Sequence, residues 1–397
     1  MEGHVFLIQL VLILFSARVM GEVAAYFQAP SVIGELLAGI IIGPSLLNIV
    51  QLSDPVVLLA QVGIILLLFE VGLEADIGRL VSAGSKAAIV AVCGVVFPFA
   101  LGFAVSYALF DLSLLTSLFI GSTLTATSIG ITLRVLHDLK QQGSPEAQVI
   151  LGAAVLDDII GIVFLAVLYE FATSGSVHAW NAGRVLLFIA LFFLLAPIAA
   201  KLISKSIKKW DENSTIPGLL PTMIVSLILL FAWVAYSLGA PELLGGFAAG
   251  LALSRQFKLP VGTWLNDSKE FVQRVEKQMR PIVHLFTPIF FVSIGLSLNL
   301  REIDWSSGTI WLLSGSLIVV AVLGKLLSGF CLFKESRFVQ TAIGVAMIPR
   351  GEVGLIFAGV GLATKVFDES LYAALIIVIA VTTLVPPFFL RMLYAKK

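Results

Sequence analysis

Residues 151–166 read Leu151-Gly-Ala-Ala-Val-Leu-Asp-Asp-Ile-Ile-Gly-Ile-Val-Phe-Leu-Ala166, an apolar run that contains two adjacent carboxylic acids, Asp157 and Asp158. An ionisable side chain at bilayer depth costs at least ~2.5–3.5 kcal/mol, and this run holds no cation that would neutralise the pair. The aspartates therefore need a partner cation from another segment, shared protons or a water-filled cavity. That requirement favours an ion or proton pathway over soluble chemistry.

The composition is that of a membrane protein. Of the 397 residues, 59% are hydrophobic and 13% are charged, whereas a soluble domain carries about 25% charged residues. A chain of this length accommodates about a dozen spans of ~20 residues. We therefore predict an all-α polytopic membrane protein with thirteen transmembrane helices. The thirteen apolar segments run approximately over 5–27, 31–50, 55–73, 86–109, 113–136, 147–171, 182–206, 217–238, 241–255, 281–300, 307–333, 337–362 and 369–393.

One polar stretch longer than 20 residues separates these segments, and it runs from Gln256 to Arg280. Its basic side chains are mixed with acids, which predicts an amphipathic helix on the membrane surface. The sequence shows no soluble domain beside it.

Lysine and arginine residues are distributed unequally between the loops. With the loops numbered alternately and the N-terminus outside, nineteen of these cations fall on the cytoplasmic side and three on the outer side. Cytoplasmic loops of membrane proteins carry an excess of Lys and Arg. We therefore predict a multi-pass protein of the inner (cell) membrane with an outer N-terminus and a cytoplasmic C-terminus. The other three cations, Arg18, Lys325 and Arg350, lie inside apolar segments.

The sequence also repeats itself. Glu35-Leu-Leu-Ala-Gly-Ile-Ile-Ile-Gly43 matches Glu242-Leu-Leu-Gly-Gly-Phe-Ala-Ala-Gly250 at five of nine positions. Pairing these motifs defines repeat one over about 5–171, a linker helix over 182–206 and repeat two over about 217–393. The two repeats are offset by an odd number of segments, so the second copy is inverted. Inverted repeats are typical of secondary transporters, whose site lies where the repeats meet.

Segments five and twelve correspond under this pairing, and both contain residues that weaken a helix. Segment five reads Gly121-Ser-Thr-Leu-Thr-Ala-Thr-Ser-Ile-Gly130, and segment twelve reads Gly344-Val-Ala-Met-Ile-Pro-Arg-Gly-Glu-Val-Gly354. Interrupted segments at matching places in two halves indicate a transporter binding site. We therefore predict two broken helices.

Lys325 is the clearest partner for the aspartate pair, because it lies in the middle of segment eleven and is too deep to reach the membrane surface. Asp157 and Asp158 are about 100° apart around a helix, so one can meet a neighbouring helix while the other faces an ion cavity. Two interpretations of a Lys325–Asp bridge remain open. It is either part of the transport cycle or a structural ion pair.

Other buried charges have less specific interpretations. Arg350 and Glu352 lie at the interruption of segment twelve, where a structural role is favoured over a role in the pathway. Glu70 and Glu35 are either pathway acids or packing acids whose hydrogen bonds are satisfied. No cysteine or histidine spacing typical of a metal site occurs.

Four motifs then occur in order along the chain: Thr125-Ala-Thr-Ser-Ile-Gly-Ile-Thr132, Leu151-Gly-Ala-Ala-Val-Leu-Asp-Asp158, Gly324-Lys325 and Pro349-Arg-Gly-Glu-Val-Gly-Leu355. This ordered set resembles the monovalent cation:proton antiporter-2 family, and the likeness is closest to bacterial sodium/proton antiporters with an Asp-Asp pair. The resemblance extends over essentially the whole chain.

The resemblance implies the sodium/proton antiporter fold with two crossed broken helices, and a homodimer. It implies one membrane transporter domain over residues 1–397, with mobile core helices in about 86–171 and 307–393 and dimerisation or scaffold helices in the remainder. It gives direct cation binding to Asp158 and the partnership with Lys325 to Asp157. It also implies that hydroxyls near the crossing come from Thr127 and Ser128.

We therefore expect a secondary active antiporter that exchanges Na⁺, with Li⁺ as a second candidate, for H⁺ across a bacterial membrane by alternating access. A hard monovalent cation prefers oxygen ligands, so Na⁺ is expected at Asp158 and Asp157. The expected partners are monovalent cations, protons, the lipid bilayer and a second copy of the chain, without nucleic acid. No cofactor and no enzymatic activity are expected. We expect the exchange to be electrogenic and to serve pH homeostasis.

Three alternatives stand beside this reading. A K⁺/H⁺ antiporter of the potassium-efflux type would here lack its regulatory domain, since the chain stops at Lys397, soon after the last segment. A cation channel also uses broken helices, but its flux is not coupled to protons. An intramembrane aspartyl protease needs two aspartates facing one water, which adjacent residues on one helix do not provide.

Overall fold

The computed structural model describes residues 2–27, 29–74, 77–174, 179–213, 215–238, 242–254, 269–303 and 305–395. Sixteen α-helices and one short 3₁₀ turn, Leu300–Glu302, fill these ranges, and no strand occurs within them. The helices are α1 (Glu2–Tyr26), α2 (Ser31–Ile42), α3 (Asp54–Glu74), α4 (Ile77–Ala108), α5 (Leu114–Thr123), α6 (Ile129–Asp138), α7 (Pro145–Ser174), α8 (Ala179–Asn213), α9 (Leu219–Ser237), α10 (Glu242–Leu253), α11 (Lys269–Ser297), α12 (Gly308–Phe330), α13 (Arg337–Ala346), α14 (Glu352–Ala363), α15 (Glu369–Leu384) and α16 (Pro386–Ala395). The predicted all-α fold is confirmed.

Hydropathy predicts the helices better than it predicts the number of spans. Each apolar segment of the sequence coincides with one helix or with a consecutive pair, the pairs being α5–α6, α13–α14 and α15–α16. Within the described ranges, eight stretches are long and apolar enough to cross a membrane, and four shorter apolar helices accompany them. The count of thirteen spans stays a prediction.

Two helices begin earlier than the apolar segments do. α4 begins at Ile77, and α11 begins at Lys269 and contains Pro281 and Pro288 in its interior. Hydropathy marks the apolar part of a helix, so polar turns at a helix end escape it. Residues 269–280 of the surface helix predicted over Gln256–Arg280 form the first turns of α11, and their position at the membrane surface stays a prediction. Residues 255–268 lie outside the described ranges.

The chain divides into two compact units. The first contains Met1–Leu52, Ala83–Ala182 and Phe291–Lys397, and the second contains Ser53–Ser82 and Gly183–Phe290. The predicted core ranges 86–171 and 307–393 fall inside the first unit, which also holds α1 and α2. The division into core and scaffold stays a prediction.

Glycines bring the helices of the second unit together. A Cβ atom at Gly246 of α10 would lie 2.3 Å from the carbonyl oxygen of Ile65 on α3, and one at Gly250 would lie 2.1 Å from that of Phe69. Small residues at such positions let membrane helices pack backbone against backbone. The motif Glu242–Gly250 that revealed the repeat thus contains the glycines through which α10 packs against α3.

Contacts within the first unit join helix ends that the predicted topology places on the same side of the membrane. Lys86 Nζ lies 2.7 Å from Glu335 Oε1, at the start of the fourth segment and the end of the eleventh. At the opposite helix ends, Thr116 Oγ1 donates a hydrogen bond to the Val366 carbonyl (3.2 Å). Each pair joins ends that the alternation of thirteen segments assigns to one side, so the helix directions agree with that alternation.

The order of elements occurs twice. A helix, a short helix, two longer helices, a broken pair and a closing helix make up α1–α7. The same order recurs in α9–α16, where the pair α15–α16 takes the place of the closing helix. The two broken pairs run antiparallel, because the start of α5 contacts the end of α14 while Thr132 of α6 contacts Ala346 of α13. Antiparallel broken helices are what inverted repeats require.

Candidate functional site

The chain leaves helical geometry twice in the middle of apolar segments. α5 ends at Thr123 and α6 begins at Ile129, while α13 ends at Ala346 and α14 begins at Glu352. Hydroxyl side chains offer local hydrogen bonds in the first break, and a proline without a backbone N–H lies in the second. Both interruptions lie where the sequence predicts them. We call residues 124–128 and 347–351 together the crossing.

Hydrogen bonds connect the two breaks. The Ser128 N–H donates to the Pro349 carbonyl (2.7 Å), and Thr127 Oγ1 donates to the Met347 carbonyl (3.2 Å). Thr132 Oγ1 donates to the Ala346 carbonyl (2.6 Å), at the end of α13. Backbone groups that the breaks release are thus satisfied by the opposite break, as groups in a membrane interior must be.

The helix ends give the crossing its electrostatic character. α5 and α13 point their C-terminal, partially negative ends at it, and α6 and α14 their N-terminal, partially positive ends. Arg350 lies there, fully buried, and its guanidinium donates to the Ala126 carbonyl. Thr383 Oγ1 donates to the Arg350 carbonyl (2.5 Å) and so holds the second break from α15.

The aspartate pair lies beside the crossing. Its helix, α7, packs against all four half-helices, α5, α6, α13 and α14. Asp157 and Asp158 are both buried, with 2% and 6% of their surface exposed. Asp157 Oδ2 accepts a hydrogen bond from Lys325 Nζ at 3.0 Å, and its other oxygen has no hydrogen-bond partner among the described residues. The predicted contact between Lys325 and the pair is therefore present, and it engages Asp157.

Close approach of α4 and α12 holds Lys325 in place. Gly324 leaves no room for a Cβ atom, which would lie 2.7 Å from the Cα atom of Pro98. Gly94 of α4 faces the ammonium group of Lys325. A Cβ atom at Gly94 would lie 3.5 Å from Lys325 Nζ. The sequence Gly324-Lys325 thus combines a packing residue with the charge that it positions.

Charges around α7 balance. Lys325 is within electrostatic range of Asp158 as well as Asp157, and Arg350 is within electrostatic range of Asp157. Two carboxylates and two cations form a set without net charge in the ionised state. Gain of a monovalent cation by this set is neutralised by loss of a proton, which is the chemistry of exchange.

Oxygen atoms that could bind a cation are also available at the crossing. Ser128 Oγ is buried and has no hydrogen-bond partner among the described residues, and Thr127 Oγ1 lies at the same break. No cluster of three or more His, Cys, Asp or Glu side chains that could hold a metal ion occurs within the described ranges. The arrangement therefore offers carboxylate, hydroxyl and carbonyl oxygens, which suit a hard monovalent ion.

Two further residues singled out in the sequence do not contribute described side chains to this site. Glu70 is buried on α3, in the second unit, and the side chain of Glu352 lies outside the described residues. Sequence reasoning missed the two threonines that hold the crossing, Thr132 and Thr383. Hydroxyls in apolar segments were the available signal, but they are equally typical of ordinary helix packing.

Two broken helices that meet at their breaks beside a buried carboxylate pair are the architecture of a secondary ion transporter. A family model described as "Sodium/hydrogen exchanger, transmembrane" matches residues 10–396, and the chain belongs to this family. The resemblance noted in the sequence is thereby confirmed.

Several antiporters are similar to this chain over nearly their whole length. The chain is 34% identical to the high-affinity Na⁺/H⁺ antiporter NhaS3 of Synechocystis sp., over 98% of this chain and 90% of that protein. It is 32% identical to the Na⁺/H⁺-K⁺ antiporter GerN of Bacillus cereus, over 99% and 97%. Among solved structures, the sodium proton antiporter MjNhaP1 from Methanocaldococcus jannaschii matches with a TM-score of 0.70 at 18% identity, covering 99% of this chain and 100% of that chain. This last likeness concerns the fold.

Proposed function

We propose that the protein is a secondary antiporter that exchanges Na⁺ for H⁺ by alternating access, with Li⁺ as a second substrate. The observation that carries the proposal is the buried aspartate pair beside the crossing, with Lys325 bound to one of its members. The relatives named as Na⁺/H⁺ antiporters support the choice of ions.

Asp158 and Asp157 bind the cation, and the hydroxyls of Thr127 and Ser128 complete its oxygen ligands. A carboxylate that holds either a proton or a cation couples the two fluxes, because occupation by one excludes the other. In the empty form the buried carboxylate oxygens hold neither a proton nor a cation, and buried polar atoms without a partner are costly. We expect this form to move across the membrane least readily, which makes the exchange obligatory.

Lys325 makes the exchange electrogenic. Cation entry at the pair competes with the lysine for Asp157, and a buried ammonium group without a counter-ion is unfavourable. Its proton then leaves together with the proton displaced from Asp158. More protons than cations cross in each cycle, so the rate depends on membrane potential.

The protein acts as a homodimer in the inner membrane, with its N-terminus outside and its C-terminus in the cytoplasm. The excess of Lys and Arg in alternate loops supports this orientation. Its role is pH homeostasis, because an electrogenic exchanger uses membrane potential to move protons against their gradient.

Exchange of K⁺ for H⁺ is the second candidate. One relative is named as a Na⁺/H⁺-K⁺ antiporter, and a K⁺ efflux antiporter of Arabidopsis thaliana is 26% identical over 97% of this chain. The same oxygen ligands accept Na⁺ or K⁺, so the size of the cation site at Asp157 and Asp158 decides which of the two ions is preferred.

Transport in proteoliposomes tests the proposal. A pH gradient is imposed, Na⁺, Li⁺ and K⁺ are added in turn, and collapse of the gradient is followed by a pH-sensitive dye. We expect Na⁺ and Li⁺ to collapse the gradient, with a rate that responds to an imposed potential. Collapse by K⁺ alone would establish the second candidate, and uncoupled cation flux would contradict both.

A further inference from the structure

A second group of charged and polar side chains lies between α2 and α6. Ser31 and Glu35 are one turn apart on α2, and Arg134 and Asp138 are one turn apart on α6. We call these four residues the latch. Glu35 is 1% exposed and Asp138 is exposed, so the latch extends from the interior to the surface, and it takes no part in the proposed cation site.

The four side chains form a closed set of contacts. Ser31 Oγ donates to Asp138 Oδ2 (2.7 Å), and Arg134 Nη2 donates to Ser31 Oγ (3.4 Å). Arg134 also forms ion pairs with Glu35 (Nη2 to Oε1, 3.7 Å) and with Asp138 (Nε to Oδ1, 3.4 Å). The Arg134–Glu35 pair and the two contacts of Ser31 join α2 to α6, and the Arg134–Asp138 pair lies within α6.

Other charged groups face the latch from its surroundings. Arg18 of α1 is within electrostatic range of Glu35, and His137 Nδ1 lies 3.7 Å from Asp138 Oδ1. Glu35 Oε2 is buried without a hydrogen-bond partner among the described residues. The ion pairs are longer than the Lys325–Asp157 contact, which makes this the looser of the two charge clusters.

The other faces of α2 are packed in a different way. A Cβ atom at Gly34 would lie 2.0 Å from the Met20 carbonyl oxygen of α1, and one at Gly39 would lie 2.1 Å from the Val292 carbonyl oxygen of α11. Backbone-to-backbone packing of this kind does not slide, because the interlocked shapes leave no alternative arrangement. A polar contact can open and be rehydrated.

Opening of the polar contacts of the latch would release α6 from α2. Its first turn is held to the second break through Ser128 and Thr132, and its last turn carries Arg134 and Asp138. Motion of the crossing relative to α2 must therefore break the latch, whereas it leaves the contacts of α2 with α1 and α11 intact.

We propose that Ser31, Glu35, Arg134 and Asp138 are positioning residues that hold the site closed toward one side of the membrane and separate in each transport cycle. The proposal rests on the alternating access of the proposed function. Neither Glu35 nor Arg134 binds the cation. They set how readily the crossing moves.

Reversible cross-linking tests the latch. In a Cys93→Ser/Cys331→Ser background, the Ser31→Cys/Asp138→Cys variant is reconstituted and treated with a short bis-thiosulfonate reagent, which links two thiols and is removed by a reductant. The matched control is Ser45→Cys/Leu300→Cys. It links the turn after α2 to the 3₁₀ turn after α11, at a contact in which the Leu300 N–H donates a hydrogen bond to Ser45 Oγ (3.1 Å).

We expect the 31–138 link to abolish most Na⁺-driven proton movement, with recovery after reduction, while Na⁺ binding measured by calorimetry is retained. The 45–300 link should leave transport unchanged. Full transport with the 31–138 link in place would overturn the latch, and loss of Na⁺ binding would also overturn it by placing these residues in the site. Absence of exchange in the reduced protein and in the background protein would instead contradict the proposed function.

Discussion

At the residue scale, the two aspartates are neighbours in sequence with different surroundings. Asp157 Oδ2 accepts a hydrogen bond from Nζ of Lys325 on α12 at 3.0 Å. Asp158 is rotated by about 100° from it on the same helix. One carboxylate is therefore committed to a resident cation, and the other is the better candidate for the transported one.

Replacing Asp158 with Asn should abolish coupled exchange without unfolding the protein. An amide is close in size to a carboxylic acid, but it neither carries a proton away nor offers negative charge to Na⁺. Proton movement in proteoliposomes and thermal unfolding in detergent are the two measurements. Asp54→Asn, at the exposed start of α3, is the matched control. Near-normal exchange by Asp158→Asn would contradict the assignment.

Replacing Lys325 with Gln should destabilise the fold. Removing one partner of a buried ion pair leaves the other charge unpaired, at a cost of about 3–5 kcal/mol. The double change Asp157→Asn/Lys325→Gln should recover most of that stability, because neither group is then charged. Thermal unfolding of the single and double variants measures both effects, with the exposed Lys334→Gln as control. Equal destabilisation of the two variants would show that packing, and not charge, decides the loss.

At the element scale, the two broken helices behave as one piece. Ser128 and Pro349 share a backbone hydrogen bond, and Arg350 spans from the second break to the Ala126 carbonyl of the first. Displacing one break therefore displaces the other. Linked breaks would move as one part in the proposed alternating access, which suits a carrier better than a pore.

Adding one methyl group at this junction should be damaging. In a Gly351→Ala variant, the new Cβ atom would lie 2.6 Å from Ser128 Oγ and 2.9 Å from Ser128 Cβ, so the breaks must move apart. We expect exchange to be lost, with little change in the helical content measured by circular dichroism. Gly359→Ala is the control, since a Cβ atom there meets nothing within 4 Å. Similar exchange rates for the two variants would exclude tight coupling of the breaks.

Much of this arrangement was predictable from the sequence. The weak points of segments five and twelve were readable because Gly, Pro and clustered hydroxyls are costly in a helix interior. Pairing of Lys325 with the aspartates was readable because a deep charge requires a partner.

Other contacts were not readable. From the sequence, Glu35 fitted equally well as a pathway acid or a packing acid. Nothing in the sequence indicated that Arg134 is its partner, because a side-chain pair between two helices depends on how each helix is rotated about its axis and on the depth of each residue in the membrane. Segment thirteen was predicted as one helix, and it is interrupted between Leu384 and Pro386. Hydropathy continues across this point, but the adjacent prolines Pro386 and Pro387 were an available signal for the interruption, because proline removes a backbone hydrogen bond of the helix.

At the scale of the whole molecule, the contacts between helix ends define two sides for the first unit. Lys334, next to the Lys86–Glu335 pair, belongs to one side, and Lys365, next to the Thr116–Val366 contact, belongs to the other. Both lysine side chains are exposed.

Cysteine labelling should distinguish these sides. In a Cys93→Ser/Cys331→Ser background, a membrane-impermeant maleimide applied to intact cells should label a Lys365→Cys variant and spare a Lys334→Cys variant. Both should react after the membrane is permeabilised, which controls for accessibility. The reverse pattern would invert the predicted orientation, and labelling of both in intact cells would contradict the alternation of the segments.

The distance along the chain between Asp157 and Lys325 also bears on how the protein is made. They are 168 residues apart, so at ~5–20 residues per second α7 waits roughly ten to thirty seconds during synthesis before its counter-ion exists. Over that interval each unpaired carboxylate carries a cost of ~2.5–3.5 kcal/mol in lipid.

A nascent chain stopped at residue 305, before α12, should therefore hold α7 poorly and be degraded quickly in a pulse-chase experiment, whereas one stopped at residue 335 should persist. Equal half-lives would mean that α7 is retained by its neighbours alone. The ion pair that serves the finished transporter thus also marks the moment at which the growing chain commits its seventh helix to the bilayer.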